Sequence, residues 1–478
     1  MRLRSLLAVA AVLVLELAAG AATDVLVGRD ARTTVAVAVT VYSGQDLAVV
    51  RETRSVDLGT GESTLRFEDV AATLDPRSVV LRAADDPGTL SVLEQSYLFD
   101  LASPQALVER WLGRGVELVD TDQRLRTRIT QATLLSTEGG NVYRIGDRIA
   151  VGHPGWLFLP PNGEEVFTRP TLRWQVANSG AGRRTLEASY AVTGLSWSAD
   201  YAIVLAADET HADVSALAGV TNDSGTPYDD AAIVLVAGEV HRAAGPAPPA
   251  PVFAAKGRAM SAALEAEPAP EAFAESYRYA LERKTTLAEK ETKQLPLLSV
   301  QGVTVGKRYE VTGDPSWYAQ QVRDHDRRVP VAVVLTVADT EANRLGRDLP
   351  AGTVRVYQVD SSSAWQLVGE DRLRQTAKDE TAEIALGQAS DVVATRTQTD
   401  WRKLDIEPYQ SESAYEVKLR NAKRAAVTVV VRQHIDGDWK VLESSQPSRK
   451  VDARTLAFDV PVPAGGEAEL RYRIQVGQ

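Results

Sequence analysis

The sequence predicts a mainly β protein: multidomain antiparallel β-sandwiches with a small SH3/Sm-like barrel preceded by one short helix. Three observations predict it. Apolar residues alternate with period two along most of the chain, turn residues recur at short intervals, and one helix-start signal leads into a group of short strands. The chain has 478 residues, of which 44% are hydrophobic and 24% charged. That is ordinary globular usage, able to bury sizeable cores, and the length suggests about three domains at roughly 150 residues each.

Arg2 and Arg4 precede an uncharged apolar run from Leu6 to Leu15, and Ala19-Gly20-Ala21 supplies small residues for a peptidase. This pattern predicts a signal peptide over 1–21, cut near Ala21. Its apolar core is shorter than the about 20 residues a membrane span needs, and no cysteine follows it to carry a lipid. The mature chain is expected to be exported, periplasmic or extracellular, and soluble, with no transmembrane segment.

Residues 22–98 read as an N-terminal β-domain. Val35, Val37, Val39 and Val41 alternate with Ala36, Ala38 and Thr40, Leu65 and Phe67 follow a Gly59/Gly61 turn, and Val79 and Leu81 follow Asp75-Pro76. Residues 99–162 read as the helix and barrel. Ser103 is a suitable N-cap, Pro104 fits the first helical position, Gly113 closes the end, and Ala106, Leu107, Arg110 and Trp111 share a face. Short strands are expected over 115–121, 126–136, 141–145, 148–151 and 156–159. A β-sandwich is expected over 163–242 and 275–478, interrupted by 243–274. That interruption is rich in Ala and Pro and poor in large apolar residues, which predicts a linker or loop without a fixed fold. Tyr277, Tyr279 and Leu281 alternate like a strand, although the charge density of 275–295 also suits a helix. The run from Val427 to Val431 reads as a strand covered on both faces. The strands around 456–462 and 470–476, joined across Ala464-Gly465-Gly466, read as antiparallel neighbours.

A further set of residues resembles a known family. Gly194-Leu195-Ser196-Trp197-Ser198-Ala199-Asp200-Tyr201 is similar to the signature of the bacterial domain-of-unknown-function 4139 family, the mucoidy-inhibitor-A-like exported proteins. Asn222-Asp223-Ser224-Gly225, Asp230-Ala231 and Leu235-Val236-Ala237-Gly238-Glu239 follow in the same order. Thr292-Lys293-Gln294-Leu295-Pro296-Leu297-Leu298, Leu349-Pro350-Ala351-Gly352, Asn421-Ala422-Lys423 and Gly437-Asp438-Trp439 complete the series. The resemblance covers roughly residues 30–478. It implies export and β-sandwich domains, makes Tyr277–Glu282 a strand, and supplies no reaction or catalytic residues. Many members carry a long coiled coil after the first β-domain. Here residues 101–113 and the small barrel stand in its place, so coiled-coil oligomerisation is not implied.

Composition and motifs narrow the chemistry. The net charge is −11 and cysteine is absent. The charge disfavours nucleic-acid binding, which needs basic surface against phosphates. The absent cysteines remove disulfides, thiolate nucleophiles and cysteine metal sites. The histidines, His153, His211, His241, His325 and His434, have no ligand-like spacing. Gly302-Val303-Thr304-Val305-Gly306-Lys307 is one residue short of a phosphate loop, and Arg308 stands where a magnesium-binding hydroxyl belongs, so it reads as a β-turn. Gly194-Leu195-Ser196-Trp197-Ser198 lacks the second glycine and the following helix of a nucleophile elbow. Asp324-His325-Asp326 lies in a dense charge run and reads as a solvated loop. Asp229-Asp230 and Asp436-Gly437-Asp438 read as turns. No catalytic set, metal site or cofactor is expected.

Trp197, Asp200 and Tyr201 form the most informative cluster. In the structural reading Trp197 fills a sandwich core and Asp200 accepts backbone N–H bonds at a strand corner. In the other, the aromatics are an exposed binding surface. The function expected from all this is a non-catalytic interaction or scaffold protein of the envelope or extracellular space, with an envelope protein or surface component as partner. The alternative is a hydrolase of envelope polysaccharide or peptide, with paired carboxylates in a cleft. A passive spacer is a third possibility, and predicts no specific partner.

Overall fold

The computed structural model describes residues 23–29, 33–99, 103–121, 127–160, 167–238, 277–322, 326–338, 340, 343, 345–346, 348–359, 364–404 and 410–477. The expected signal peptide and the Ala/Pro-rich stretch lie outside these residues, as do His241, Asp324 and His325. The described chain is mainly β, in several sheets.

Two sheets enclose the first part of the core. One runs in the order Thr23–Val27, Gly61–Glu68, Thr171–Asn178, Leu90–Leu98; the other in the order Tyr277–Ala280, Tyr228–Ala237, Thr34–Tyr42, Ala48–Leu58, Gly182–Val192, Val80–Ala83. Strands from 171–192 and 228–237 therefore complete sheets begun by residues 23–98. The period-two stripes point where the sequence aims them: Val37, Val39, Val41, Leu65 and Phe67 are buried. Val35 is the exception and is exposed, because the ladder slips between Thr34 and Ala36 and leaves it as a bulge. Phe67 and Trp174 meet edge to face at 5.1 Å.

The helix Pro104–Glu109 forms as its caps dictate. Ser103 Oγ accepts from the Ala106 amide at 3.0 Å, and Gly113 takes φ +78°. Trp111 behind it is buried and donates to the Pro160 carbonyl at 3.2 Å. Five strands follow in the order Arg148–Val151, Val142–Ile145, Thr127–Ser136, Gly115–Thr121, Trp156–Phe158. The first in sequence pairs with both the second and the fifth, the neighbour order of SH3/Sm-like barrels. No ladder joins the two edge strands, so the expected small barrel is an open, five-stranded sheet. Edges of four and three residues leave little ladder with which to close it.

The strand Glu291–Gly313 spans 23 residues and serves two cores. Its first half pairs with His211–Asn222, and its second half pairs with Ala332–Ala338 and Val427–His434. Val303 and Val305 enter the first core, Tyr309 and Val311 the second. Gly302 makes a β-bulge inside this strand, not the expected β-turn: at φ +66° its amide donates to the Asp213 carboxylate at 3.0 Å while pairing continues on either side. On the first-core side, pairing runs from Trp365–Leu373 through Gly352–Val359, Leu195–Leu205 and His211–Asn222 to the long strand. It continues through Ala332–Ala338 to Thr381–Gln388. The last strand of this curl is tied to the first by the Ala385 amide on the Asp371 carboxylate, at 2.6 Å.

The second core lies under the five-stranded sheet Arg327–Val329, Val392–Leu404, Gln410–Asn421, Glu467–Gly477, Asp438–Ser444. Thr455–Val462 and Glu467–Gly477 are not the antiparallel neighbours their pattern suggests. Thr455–Val462 pairs with Val427–His434, whereas Glu467–Gly477 pairs with Gln410–Asn421. Between them the chain passes from one sheet to the other, and Phe458 meets Tyr472 across the core with ring centroids 5.0 Å apart.

Candidate functional site

The strand Leu195–Leu205 has an alternating burial pattern that turns Trp197, Ala199 and Tyr201 into the core. Trp197 Nε1 donates to the Val236 carbonyl at 3.2 Å, and the Tyr201 hydroxyl donates to the Pro350 carbonyl at 2.7 Å. Burial pushes the Tyr201 phenol well above its usual range, and Tyr279 adds to the rise. Asp200 faces the other way at mid-strand. Its carboxylate meets Arg355 of the parallel neighbour at 3.5 Å, and Arg355 also holds Glu370 at 2.8 Å. The predicted trio is thus split by the pleat, with two members in the core and one in an outer ion-pair row.

The two buried aromatics stand behind a cleft of about 810 Å³. One wall is Tyr277–Arg283, another is Leu295–Ser299, and Gly346 and Asp348 line it as well. Tyr279 packs on Trp197 with ring centroids 6.1 Å apart, and its hydroxyl donates to the Asp348 carbonyl at 3.1 Å. The Asp348 carboxylate is itself engaged, accepting the Lys378 amide at 2.9 Å. Tyr201 fixes Pro350, two residues beyond Asp348. Three motifs distant in sequence therefore meet here: Gly194–Tyr201 supports the cleft, Thr292–Leu298 supplies much of one wall, and Leu349–Gly352 is tied behind it. Gly352 is needed for this approach, since a Cβ there would come within 2.2 Å of the Ala199 carbonyl oxygen.

The cleft is amphipathic. Tyr279, Leu281, Leu295, Leu297 and Leu298 pack against the core below it, while Arg278, Glu282 and Arg283 are exposed at its mouth. A volume of this size accommodates a drug-sized molecule or a short stretch of polypeptide. Sequence reasoning missed Arg278, Ala280 and Asp348. The alternation of Tyr277, Tyr279 and Leu281 marks a strand, but that this strand ends a sheet and borders a cleft depends on partners far away in the chain.

The remaining candidates do not converge. Ser196 is an exposed residue at the start of its strand opposite Thr221, without the strand–turn–helix of a nucleophile elbow. His211 contacts Asp208 at 3.2 Å on the surface, and His153 accepts the Gly155 amide at 3.0 Å. Asp230 pairs with Lys284 at 3.2 Å, and Asp326 approaches Lys418 at 3.8 Å. Among the described residues no group of three or more His, Asp or Glu gathers at metal-binding distance. Among them, too, no helix is long and apolar enough to cross a membrane.

No curated protein matches the chain. The family described as a domain of unknown function, DUF4139, matches residues 186–477, a span that contains every segment lining the cleft. The chain belongs to the DUF4139 family.

Proposed function

We propose that the protein is an exported, non-catalytic interaction protein that docks a partner in the cleft between Tyr277–Arg283 and Leu295–Ser299. Convergence is the observation that carries this reading: three of the segments by which the sequence resembles its family, Gly194–Tyr201, Thr292–Leu298 and Leu349–Gly352, build or support one amphipathic concavity. Export rests on the pattern of residues 1–21. At the mouth Arg278 and Arg283 outnumber Glu282, in a chain of net charge −11, which favours a partner with acidic residues at the contact.

Cross-linking in intact source cells, followed by mass spectrometry of what stays attached, tests the proposal. A reproducible envelope protein, lost when Arg278 and Arg283 are both changed to Glu, is the expected result. Recovery of the same set from both proteins counts against docking at the cleft. One observation favours a hydrolase instead: Glu282 and Asp348 line the cleft beside Tyr277 and Tyr279. That reading predicts cleavage of envelope glycan or peptide that disappears in Glu282→Gln.

A further inference from the structure

We infer that the cleft takes an extended peptide, added as a new strand along the outer edge of Tyr277–Ala280; this rests on the docking role proposed above. Tyr277–Ala280 is the last strand of its sheet. Among the described residues its only ladder is with Tyr228–Ala237, where Ala280 faces Val234 and Arg278 faces Val236. The next residue, Leu281, donates its amide to the Ile233 carbonyl at 3.1 Å. In an antiparallel ladder the residues bonded to the partner alternate with residues that are not. Tyr279 and Leu281 therefore turn their main-chain groups inward, and Arg278 and Ala280 turn theirs outward. Among the described residues no backbone hydrogen bond reaches those outward groups.

Arg278 and Ala280 both line the cleft, and the facing wall is also a stretch of strand, Leu295–Ser299. The cleft is thus lined by two strands, and on one side carries main-chain donors and acceptors that no described residue engages. The other wall contains Pro296, which has no N–H to offer a ladder. Tyr279 and Leu281 give the slot an apolar floor, suited to alternate side chains of an incoming strand. An edge left bare in this way is a template for pairing, and native proteins usually cover or blunt such edges. The exposed Arg278 and Arg283 outnumber Glu282 at the mouth and direct the choice towards a peptide with acidic flanks. A small ligand would use the floor and the mouth but would have no need of two outward backbone groups in register.

The test uses the full chain and a synthetic peptide of alternating valine and threonine with aspartate at each end. Two analogues carry N-methyl groups on alternate amides, one analogue for each register, which removes main-chain donors without altering the protein. Expected are binding of the parent peptide, slowed hydrogen exchange at the Arg278 and Ala280 amides, and at least about tenfold weaker binding of one analogue. Ala280→Pro, which removes an outward N–H, is expected to weaken binding to a similar degree. No binding of the parent, equal binding of both analogues, or unchanged exchange at Arg278 and Ala280 overturns the inference. The in-cell capture described above is read separately, so capture that persists while these tests fail leaves docking standing and removes strand addition alone.

Discussion

Glu52 and Arg54 stand two residues apart on the same face of Ala48–Leu58, both fully buried, and pair at 2.5 Å inside the first core. Their stripe is otherwise apolar: Ala48, Val50, Val56 and Leu58 occupy its remaining positions. The pair is tolerated because its hydrogen-bonding capacity is used. Glu52 also accepts from Arg29 and, at 2.5 Å, from the Tyr190 hydroxyl. Arg54 donates to the carbonyls of Val27 and Glu68 at 2.8 and 2.9 Å and lies 4.7 Å over the Phe67 ring. Arg29 reaches on to Thr226 Oγ1 at 2.8 Å and the Pro227 carbonyl at 2.6 Å. The network thereby ties both sheets of the first core to the turn that follows Asn222.

Glu52→Ala is expected to be among the most destabilising single changes in the protein. It leaves two arginines facing a site with no acid, and breaking one partner of a buried pair costs about 3–5 kcal/mol. Urea or guanidinium unfolding measures it. A loss below about 1 kcal/mol would show that water or a rearranged neighbour replaces the carboxylate.

The same group sets an acid limit on stability. Burial alone would raise the Glu52 pKa, but Arg54, Arg29 and the Tyr190 hydrogen bond outweigh it and hold the carboxyl at about 2, below its ordinary 4.5. A depressed folded pKa stabilises above the unfolded value and is lost as pH falls through the folded one. The contribution, about 3 kcal/mol, is present above about pH 4.5 and disappears towards pH 2. Unfolding midpoints across that range should fall more steeply for the wild type than for Glu52→Gln; parallel curves would contradict the linkage.

Arg396 is the counter-case in the second core. It is buried, its guanidinium lies 3.5 Å over the Trp317 ring, and among the described residues its Nε and Nη1 have no hydrogen-bond partner. Burial lowers its pKa, outweighing the neighbouring Tyr415, Tyr472 and Tyr318 phenols, which raise it. Arg396→Met should therefore leave stability unchanged or raise it, within about 2 kcal/mol, whereas Trp317→Ala should lose about 3–5 kcal/mol. Thermal unfolding of the two variants decides this, and a large loss in Arg396→Met would contradict it.

Asp200 and Tyr201 are adjacent in sequence but should differ sharply on substitution. Tyr201→Phe leaves the buried Pro350 carbonyl without its 2.7 Å donor and should cost about 1–3 kcal/mol. Asp200→Asn weakens only a half-exposed 3.5 Å pair and should cost less than about 1 kcal/mol. Equal losses in denaturant unfolding would show that the outer ion-pair row carries more than its geometry suggests.

What the sequence made legible was local. Period-two stripes located most strands, Ser103 and Pro104 located a helix, and short apolar runs bounded five strands of the small sheet to within a residue or two. What escaped depends on partners far apart in the chain. Ala464-Gly465-Gly466 resembles a hairpin turn, yet the Asn421 amide donates to the Gly466 carbonyl and the Gly465 amide to the Lys423 carbonyl, both at 2.9 Å. Those bonds carry the chain between sheets, and nothing in the glycines announces them. Glu52 and Arg54 fall on core positions of their strand, but that they answer each other and Arg29 there is a matter of three-dimensional packing. The cleft joins walls at 277–283 and 295–299 to Gly346, Asp348 and a supporting strand at 195–205, so no short window of sequence contains it.

A photo-reactive residue placed at Ala280 in intact cells, with the same residue at exposed Trp365 as comparison, shows whether the cleft is a docking surface. One protein is expected to cross-link from Ala280 and not from Trp365, with the yield falling when Arg278 and Arg283 are changed to Glu. An identical background from both positions, unaffected by those changes, would contradict it.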